Sequence, residues 1–334
     1  MFKPFLTTGI GTLPHIGPEE ACRLVLETFD MPFWPQLPKL SFHEFMIPQF
    51  SEGMPFMKID PQRETVWIEK NDSNALTEFY ETYSEDWKAA ISEDYARGLY
   101  AFISLLKNKK VKAIKGQITG PLTFTLGLKE LGGRSVYFDE ELREISLMLL
   151  KAKIRWQIEM LKPYAENIVL FVDEPILSAL GSTSYLGVEP QETLRLLNEI
   201  IYSVKHSGGI SGIHCCGNAD WPMVIKSGVD IISFDAYDYI ETISIYPVEF
   251  TEFLKRGGHL AWGIVPTTGA AENENINSLK RRFHEGAELL SKSIPADLLL
   301  SQILLTPSCG TGSRSINETI QIFQLLKRLK EAVL

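Results

Sequence analysis

The sequence has no unbroken apolar run of the roughly 20 residues needed to span a bilayer, which excludes an ordinary transmembrane helix. Its opening, Met1-Phe2-Lys3-Pro4-Phe5, lacks the apolar stretch of a secretory signal, so a cytoplasmic protein is expected. Basic residues are not in excess: Lys and Arg number 33 against 42 Asp and Glu, a net charge of -9, and they are scattered along the chain. That excludes a nucleic-acid footprint and a polybasic membrane contact. Cysteine is scarce, four in 334 residues, and in a chain of this length that needs no staple these suit free thiols or metal ligands in a reducing compartment better than disulfides. There is no low-complexity tract, no Gly/Ser linker and no short repeat, so one domain spanning residues 1–334 is expected.

What is present is a globular composition, 45% hydrophobic and 22% charged, able to bury a full core. A short β-rich run, a loop with Gly or Pro, and a longer amphipathic helix recur along the chain, the pattern of parallel βα units. Strands are expected at Phe5–Ile10, Lys39–Phe45, Ala113–Ile118, Ile168–Val172, Gly209–Cys215, Asp230–Phe234, His259–Ile264 and Gln302–Thr306. Helices are expected at Pro18–Phe29, Asp86–Leu106, Glu140–Tyr164, Pro190–His206, Pro247–Lys255, Asn277–Ser293 and Asn317–Ala332, with Asp139 and Asn317 near two of their starts. Residues 48–85 fit no βα unit, and the alternation in Thr65-Val66-Trp67-Ile68-Glu69 suggests an inserted hairpin over the mouth of a barrel. Eight βα units also suit an open doubly wound sheet. Unusual residues follow strand after strand, however, and a single closed (β/α)8 barrel gathers all of these on one catalytic face.

The chemistry concentrates at those strand ends. His214 and Cys216 stand two apart, so a strand's alternation aims both at one pocket and sends Cys215 away. Cys309 holds the equivalent place after the last strand, and Asp235 ends the sixth. Two sulfurs, an imidazole and an oxygen suit tetrahedral Zn2+, which turns a bound thiol into a thiolate at neutral pH. Taken singly, each of these residues fits a packed core position better than a ligand; gathered on one face, they fit a metal centre better.

Asp173-Glu174-Pro175 puts two carboxylates at the end of the fourth strand, of which only one can face the pocket. That carboxylate either holds a substrate ammonium or moves a proton, or else Asp173 caps a turn and Glu174 meets a surface base. Lys115, Gln117 and Thr119 share one strand face, and a buried lysine needs an acidic partner that the sequence does not name. Gly11-Thr12 and Gly120-Pro121 read as tight turns whose N–H groups either meet a substrate carboxylate or serve the turn alone. His15 reads as a surface residue. The small polar loop Gly181–Tyr185 reads as a plain connection or as a lid.

Thr7-Thr8-Gly9-Ile10-Gly11-Thr12-Leu13-Pro14, Lys115-Gly116-Gln117-Ile118-Thr119-Gly120-Pro121, Val172-Asp173-Glu174-Pro175, His214-Cys215-Cys216-Gly217 and Pro307-Ser308-Cys309-Gly310 occur in the order seen in the catalytic domain of cobalamin-independent methionine synthase. The chain resembles that family over nearly its whole length. Its His-x-Cys-Gly also resembles that of methylcobalamin:coenzyme M methyltransferases, which share a barrel superfamily with uroporphyrinogen decarboxylase. The resemblance implies a zinc-dependent methyl transfer to a small thiol such as homocysteine, with His214, Cys216, Asp235 and Cys309 as ligands. Asp235 replaces the family's glutamate and is shorter by one methylene. By the same resemblance Asp173 holds the substrate amine and Ile10-Gly11-Thr12 replaces an Ile-Gly-Ser turn. The family's additional N-terminal barrel, which helps bind folate, has no counterpart here, so a methyl-corrinoid protein is the expected donor, with folate as the other choice. The superfamily also offers a metal-free decarboxylase, though no Arg-rich N-terminal motif for porphyrin carboxylates is present, and a barrel that binds a corrinoid or thiol without turnover. Nothing in the sequence specifies the oligomeric state.

Overall fold

The structure, a computed structural model, describes residues 2–84, 86–107 and 109–334. An antiparallel pair comes first in the chain, β1 (Met57–Asp60) with β2 (Thr65–Ile68). Six parallel strands follow: β3 (Val111–Thr119), β4 (Ala165–Asp173), β5 (Ile210–Cys215), β6 (Ile231–Phe234), β7 (His259–Val265) and β8 (Ile303–Pro307), each paired to the next. Two extended segments, residues 5–13 and 31–36, turn this curled sheet into a ring. The Phe5 and Thr8 N–H groups donate to the Ile303 and Leu305 carbonyls at 2.7 and 3.1 Å, and Leu305 N–H donates to Leu6 at 2.9 Å. On the other side, Met31 N–H donates to the Thr7 carbonyl at 3.0 Å, and Lys115 N–H donates to the Pro32 carbonyl at 2.9 Å. The result is a (β/α)8 barrel.

The second segment corrects one expectation. Lys39–Phe45 is no strand: Ser41 caps a 3-10 turn over Phe42–Glu44, accepting from His43 N–H at 3.2 Å. The second place in the ring belongs to Met31-Pro32-Phe33-Trp34-Pro35-Gln36, whose two prolines cannot donate to a ladder and therefore do not read as a strand. Trp34 is held there by side chains. Its indole N–H donates to Gln157 Oε1 at 2.8 Å, and Gln157 Nε2 donates to the Gln117 carbonyl at 3.0 Å.

Alternation along the strands divides the core in two. Ile10, Met31, Ala113, Val169, Phe171, Ile231, Ala261 and Leu304 pack along the barrel axis, whereas Leu170, Val172, Ile213 and Cys215 face the helical shell. The insertion lies on the loop between the second segment and the helix Arg97–Leu105, and carries the β1–β2 hairpin and a helix at Ala75–Thr82. Ile68 N–H donates to the Lys129 carbonyl at 2.9 Å, tying the hairpin to the loop after β3 at the C-terminal end of the strands. Glu85, the expected end of the insertion, lies outside the described residues. The helix expected over Asp86–Leu106 is shorter. Its leading part runs instead as a strap across the helix Glu140–Leu161, where Lys153 Nζ and Arg155 Nε donate to the Ala90 and Trp87 carbonyls at 3.1 and 2.8 Å. No helix among the described residues is long and apolar enough to cross a membrane.

Asp30 clasps the ring. Its carboxylate accepts from Thr7 N–H at 2.9 Å and Thr7 Oγ1 at 2.8 Å, and from Lys330 Nζ of the last helix (Ile316–Val333) at 2.6 Å. Burial pushes this carboxyl upward, but the bonds from Lys330 and Thr7 outweigh it and hold it below its ordinary value. A carboxyl depressed on folding stabilises above its unfolded pKa, and that stability is lost as pH falls through the folded value. Asp30→Asn is therefore expected to lower the denaturant midpoint at pH 7, and the gap from wild type should shrink below about pH 4, the ordinary aspartate range. A gap independent of pH would refute the clasp. Separately, Gln157→Leu strands the Trp34 indole N–H and should lower stability by about 1–3 kcal/mol in urea unfolding.

Candidate metal and thiol site

β5 delivers the first ligand candidate. His214 faces the barrel axis at 4% exposure, in register with Asp173 of β4 and Ser233 of β6. Its Nδ1 lies 3.0 Å from Ser233 Oγ, while its Nε2 is buried with no partner. The tautomer with the proton on Nδ1 gives Ser233 a hydrogen bond and turns the Nε2 lone pair toward the site. Burial, reinforced by the Lys115 charge, pushes the imidazole down to about 3, so it is neutral at physiological pH. Ser233 went unread in the sequence; its signal is alternation, two residues before Asp235 on a short strand.

Cys216 follows β5 directly and Cys309 follows β8 by two residues. One ligand atom from each of His214, Cys216 and Cys309 lies within 4.8 Å of the others. The adjoining Cys309 thiol stabilises the Cys216 thiolate and lowers that thiol to about 7. The same contact, with burial, pushes Cys309 up, so the two sulfurs behave as a pair sharing one proton. Cys215 points the opposite way, fully buried in the helical shell, where burial raises its thiol to about 12.

Asp235 stands outside the group of three. Its Oδ1 accepts from the Tyr237 and Asp238 N–H groups at 2.9 and 3.0 Å, capping the helix Ala236–Ser244, and burial raises its carboxyl to about 6.

The paired carboxylates separate cleanly. Glu174 accepts from Leu122 N–H, Thr123 N–H and Thr123 Oγ1 at 2.9, 2.8 and 2.6 Å, so it anchors the start of the helix Pro121–Gly127. Asp173 faces the axis with Oδ1 buried and unpartnered, raised by burial to about 7 against the pull of Lys115. Asp173 is the acidic group whose charge reaches Lys115, without a direct ion pair; burial lowers the lysine amine to about 8, with Asp173 opposing.

The Ile10-Gly11-Thr12 turn borders the same cluster. Gly11 has φ +124°, and a Cβ there would sit 2.7 Å from Gln36 Oε1, so only glycine fits. Thr12 meets the Cys309 loop: a Cβ on Gly310 would lie 1.9 Å from Thr12 Oγ1, and Thr311 N–H donates to the Thr12 carbonyl at 2.8 Å. His15 is not a surface residue. It is 1% exposed, its Nδ1 without a partner.

No family model matches the chain, and no curated protein does either. Among solved structures, a B12-independent methionine synthase from Shewanella sp. W3-18-1, in complex with selenomethionine, matches with a TM-score of 0.63 at 15% identity, over 99% of this chain and 98% of that one. A tandem GH20 catalytic module of the pneumococcal exo-β-D-N-acetylglucosaminidase StrH reaches 0.44 at 11% identity, over 98% and 82% of the two chains. The 3-keto-D-glucoside 4-epimerase from E. coli reaches 0.39 at 9%, over 79% and 97%. At 15% identity the first match shows a shared fold, and the weaker two add nothing to it.

With metal removed by a chelator, Cys216 is expected to be the fast-reacting thiol of the four, its alkylation rate rising as pH passes about 7 because the thiolate is the nucleophile. Cys216→Ser should abolish the fast phase in a stopped-flow thiol assay. An unchanged fast phase in that variant would assign it elsewhere.

Proposed function

We propose that this chain transfers a methyl group to a small thiol such as homocysteine, at a zinc ion held by His214, Cys216 and Cys309. The observation that carries this reading is the convergence of an unpartnered imidazole nitrogen and two thiols within 4.8 Å. Tetrahedral zinc with ordinary Zn–S and Zn–N bonds has ligand–ligand edges of roughly 3.5–3.8 Å, so closing on an ion asks for a contraction of at most about an ångström. The Ser233 hydroxyl on Nδ1 is the outer partner that a metal-binding histidine ordinarily has. A zinc ion there supplies the positive charge that keeps a substrate thiol deprotonated at neutral pH. The barrel match adds support, since a protein of this fold binds selenomethionine, an amino acid with a methylated chalcogen.

The chain's own residues orient the substrate. Asp173 Oδ1, buried and unpartnered, receives the ammonium, and the Gly11-Thr12 turn faces the substrate carboxylate. The thiolate sulfur attacks the methyl carbon as the donor bond breaks, and that bond's electron pair leaves with the donor. A methyl-corrinoid protein is the favoured donor, with folate the other. Asp235 is proposed as the oxygen ligand through the carboxylate oxygen its helix cap leaves free. Two neighbouring thiols beside a neutral histidine have no part in a metal-free decarboxylation. The free cysteines suit the reducing cytoplasm.

Purified protein is expected to hold about one zinc per chain, and Cys309→Ser should lose zinc and activity together. Asp173→Asn should keep zinc but lower kcat/KM for homocysteine by roughly 10- to 100-fold, the cost of one charged hydrogen bond. Protein active without zinc and indifferent to added zinc would overturn the proposal.

A further inference from the structure

Lys115 is the group in the barrel that the proposed chemistry does not yet use. It rises from β3 along the barrel axis, fully buried, with Nζ 3.2 Å from Gln117 Oε1, one position higher on the same strand face. Phe171 and Phe33 flank the ammonium at 4.8 and 5.5 Å from their ring centroids. One amide oxygen and two aromatic faces are thin solvation for a buried ammonium, which ordinarily carries a direct carboxylate partner. The charged and titratable groups acting with it are Asp173 on the adjacent strand β4 and His214 on β5. The long side chain thus lifts a positive charge from an apolar layer past Phe171 and Gln117, toward the strand ends that carry Asp173 and His214.

That placement has an electrostatic logic, which rests on the zinc-thiol reading above. Two cysteine thiolates cancel the double charge of a zinc ion. The substrate ammonium compensates Asp173, so the Asp235 carboxylate and an incoming substrate thiolate then leave two uncompensated negative charges in a buried pocket, and burying unpaired charge is costly. We propose that Lys115 is a positioning residue, the fixed counter-charge beneath the site that lets thiolate and carboxylate occupy it together. Removing it leaves the three ligand side chains intact but penalises the arrival of the second anion. Lys115 therefore acts on thiol binding more than on metal binding.

The test uses Co2+ in place of zinc, read by its visible absorption, with homocysteine added by titration. Wild type and Lys115→Met are both expected to take up about one Co2+ per chain. The variant should need at least about tenfold more homocysteine for the thiolate-induced spectral change, whereas Lys115→Arg, which keeps the charge, should need less than Lys115→Met. If Lys115→Met does not fold, Lys115→Gln carries the same comparison. Titration of the uncharged variant at wild-type concentrations overturns this inference alone. A wild-type chain that binds neither Co2+ nor zinc overturns the functional reading and this inference with it.

Discussion

A ring of parallel strands holds only if every member is hydrogen-bonded on both sides, and here the hardest place to satisfy is the second. Met31–Gln36 contains two prolines, yet it must bridge the first segment and β3. It does so with few backbone bonds, supplemented by the buried Trp34–Gln157–Gln117 chain. Everything functional depends on that closure. In an open sheet Cys309 on the last unit and Thr12 on the first would lie at opposite edges; in the ring, Gly310 abuts the Thr12 side chain.

The period of two along the strands then does the sorting. It separates Cys216 from Cys215, and Asp173 from Glu174, residues that composition treats alike. In each pair the member aimed at the axis keeps an unused or reactive atom, and the other is absorbed into the fold, Cys215 as packing and Glu174 as a helix anchor. Alternation also aligns Ser233 with His214, so a small hydroxyl on a neighbouring strand decides which imidazole nitrogen faces the site.

This explains what was legible in the sequence. Strands with apolar runs and a polar terminus announce themselves, and β3 through β8 fall where those patterns lie. The His214, Cys216 and Cys309 grouping follows from chain order once a ring is assumed. The second segment was illegible because prolines mask an extended stretch whose bonds come from its neighbours, and Lys39–Phe45 carries apolar residues that look strand-like but serve a 3-10 turn. Short helices such as Pro121–Gly127 and Ala236–Ser244 escaped because carboxylates distant in the chain or at a strand end start them, rather than a local amphipathic pattern. The strap over Lys153 and Arg155 escaped for a related reason: its carbonyls are satisfied by side chains from a helix far along the chain.

The clasp and the turn contacts join remote parts of the polypeptide: Lys330 reaches Asp30 across 300 residues, and Thr311 reaches Thr12 across 299. Such pairings carry a large loop-closure entropy and form late. During synthesis, then, a ribosome releases His214 and Cys216 long before their third partner exists. The growing chain passes through a stage in which two members of the cluster wait on an unclosed sheet, and the arrival of Cys309 completes the cluster as the ring itself closes.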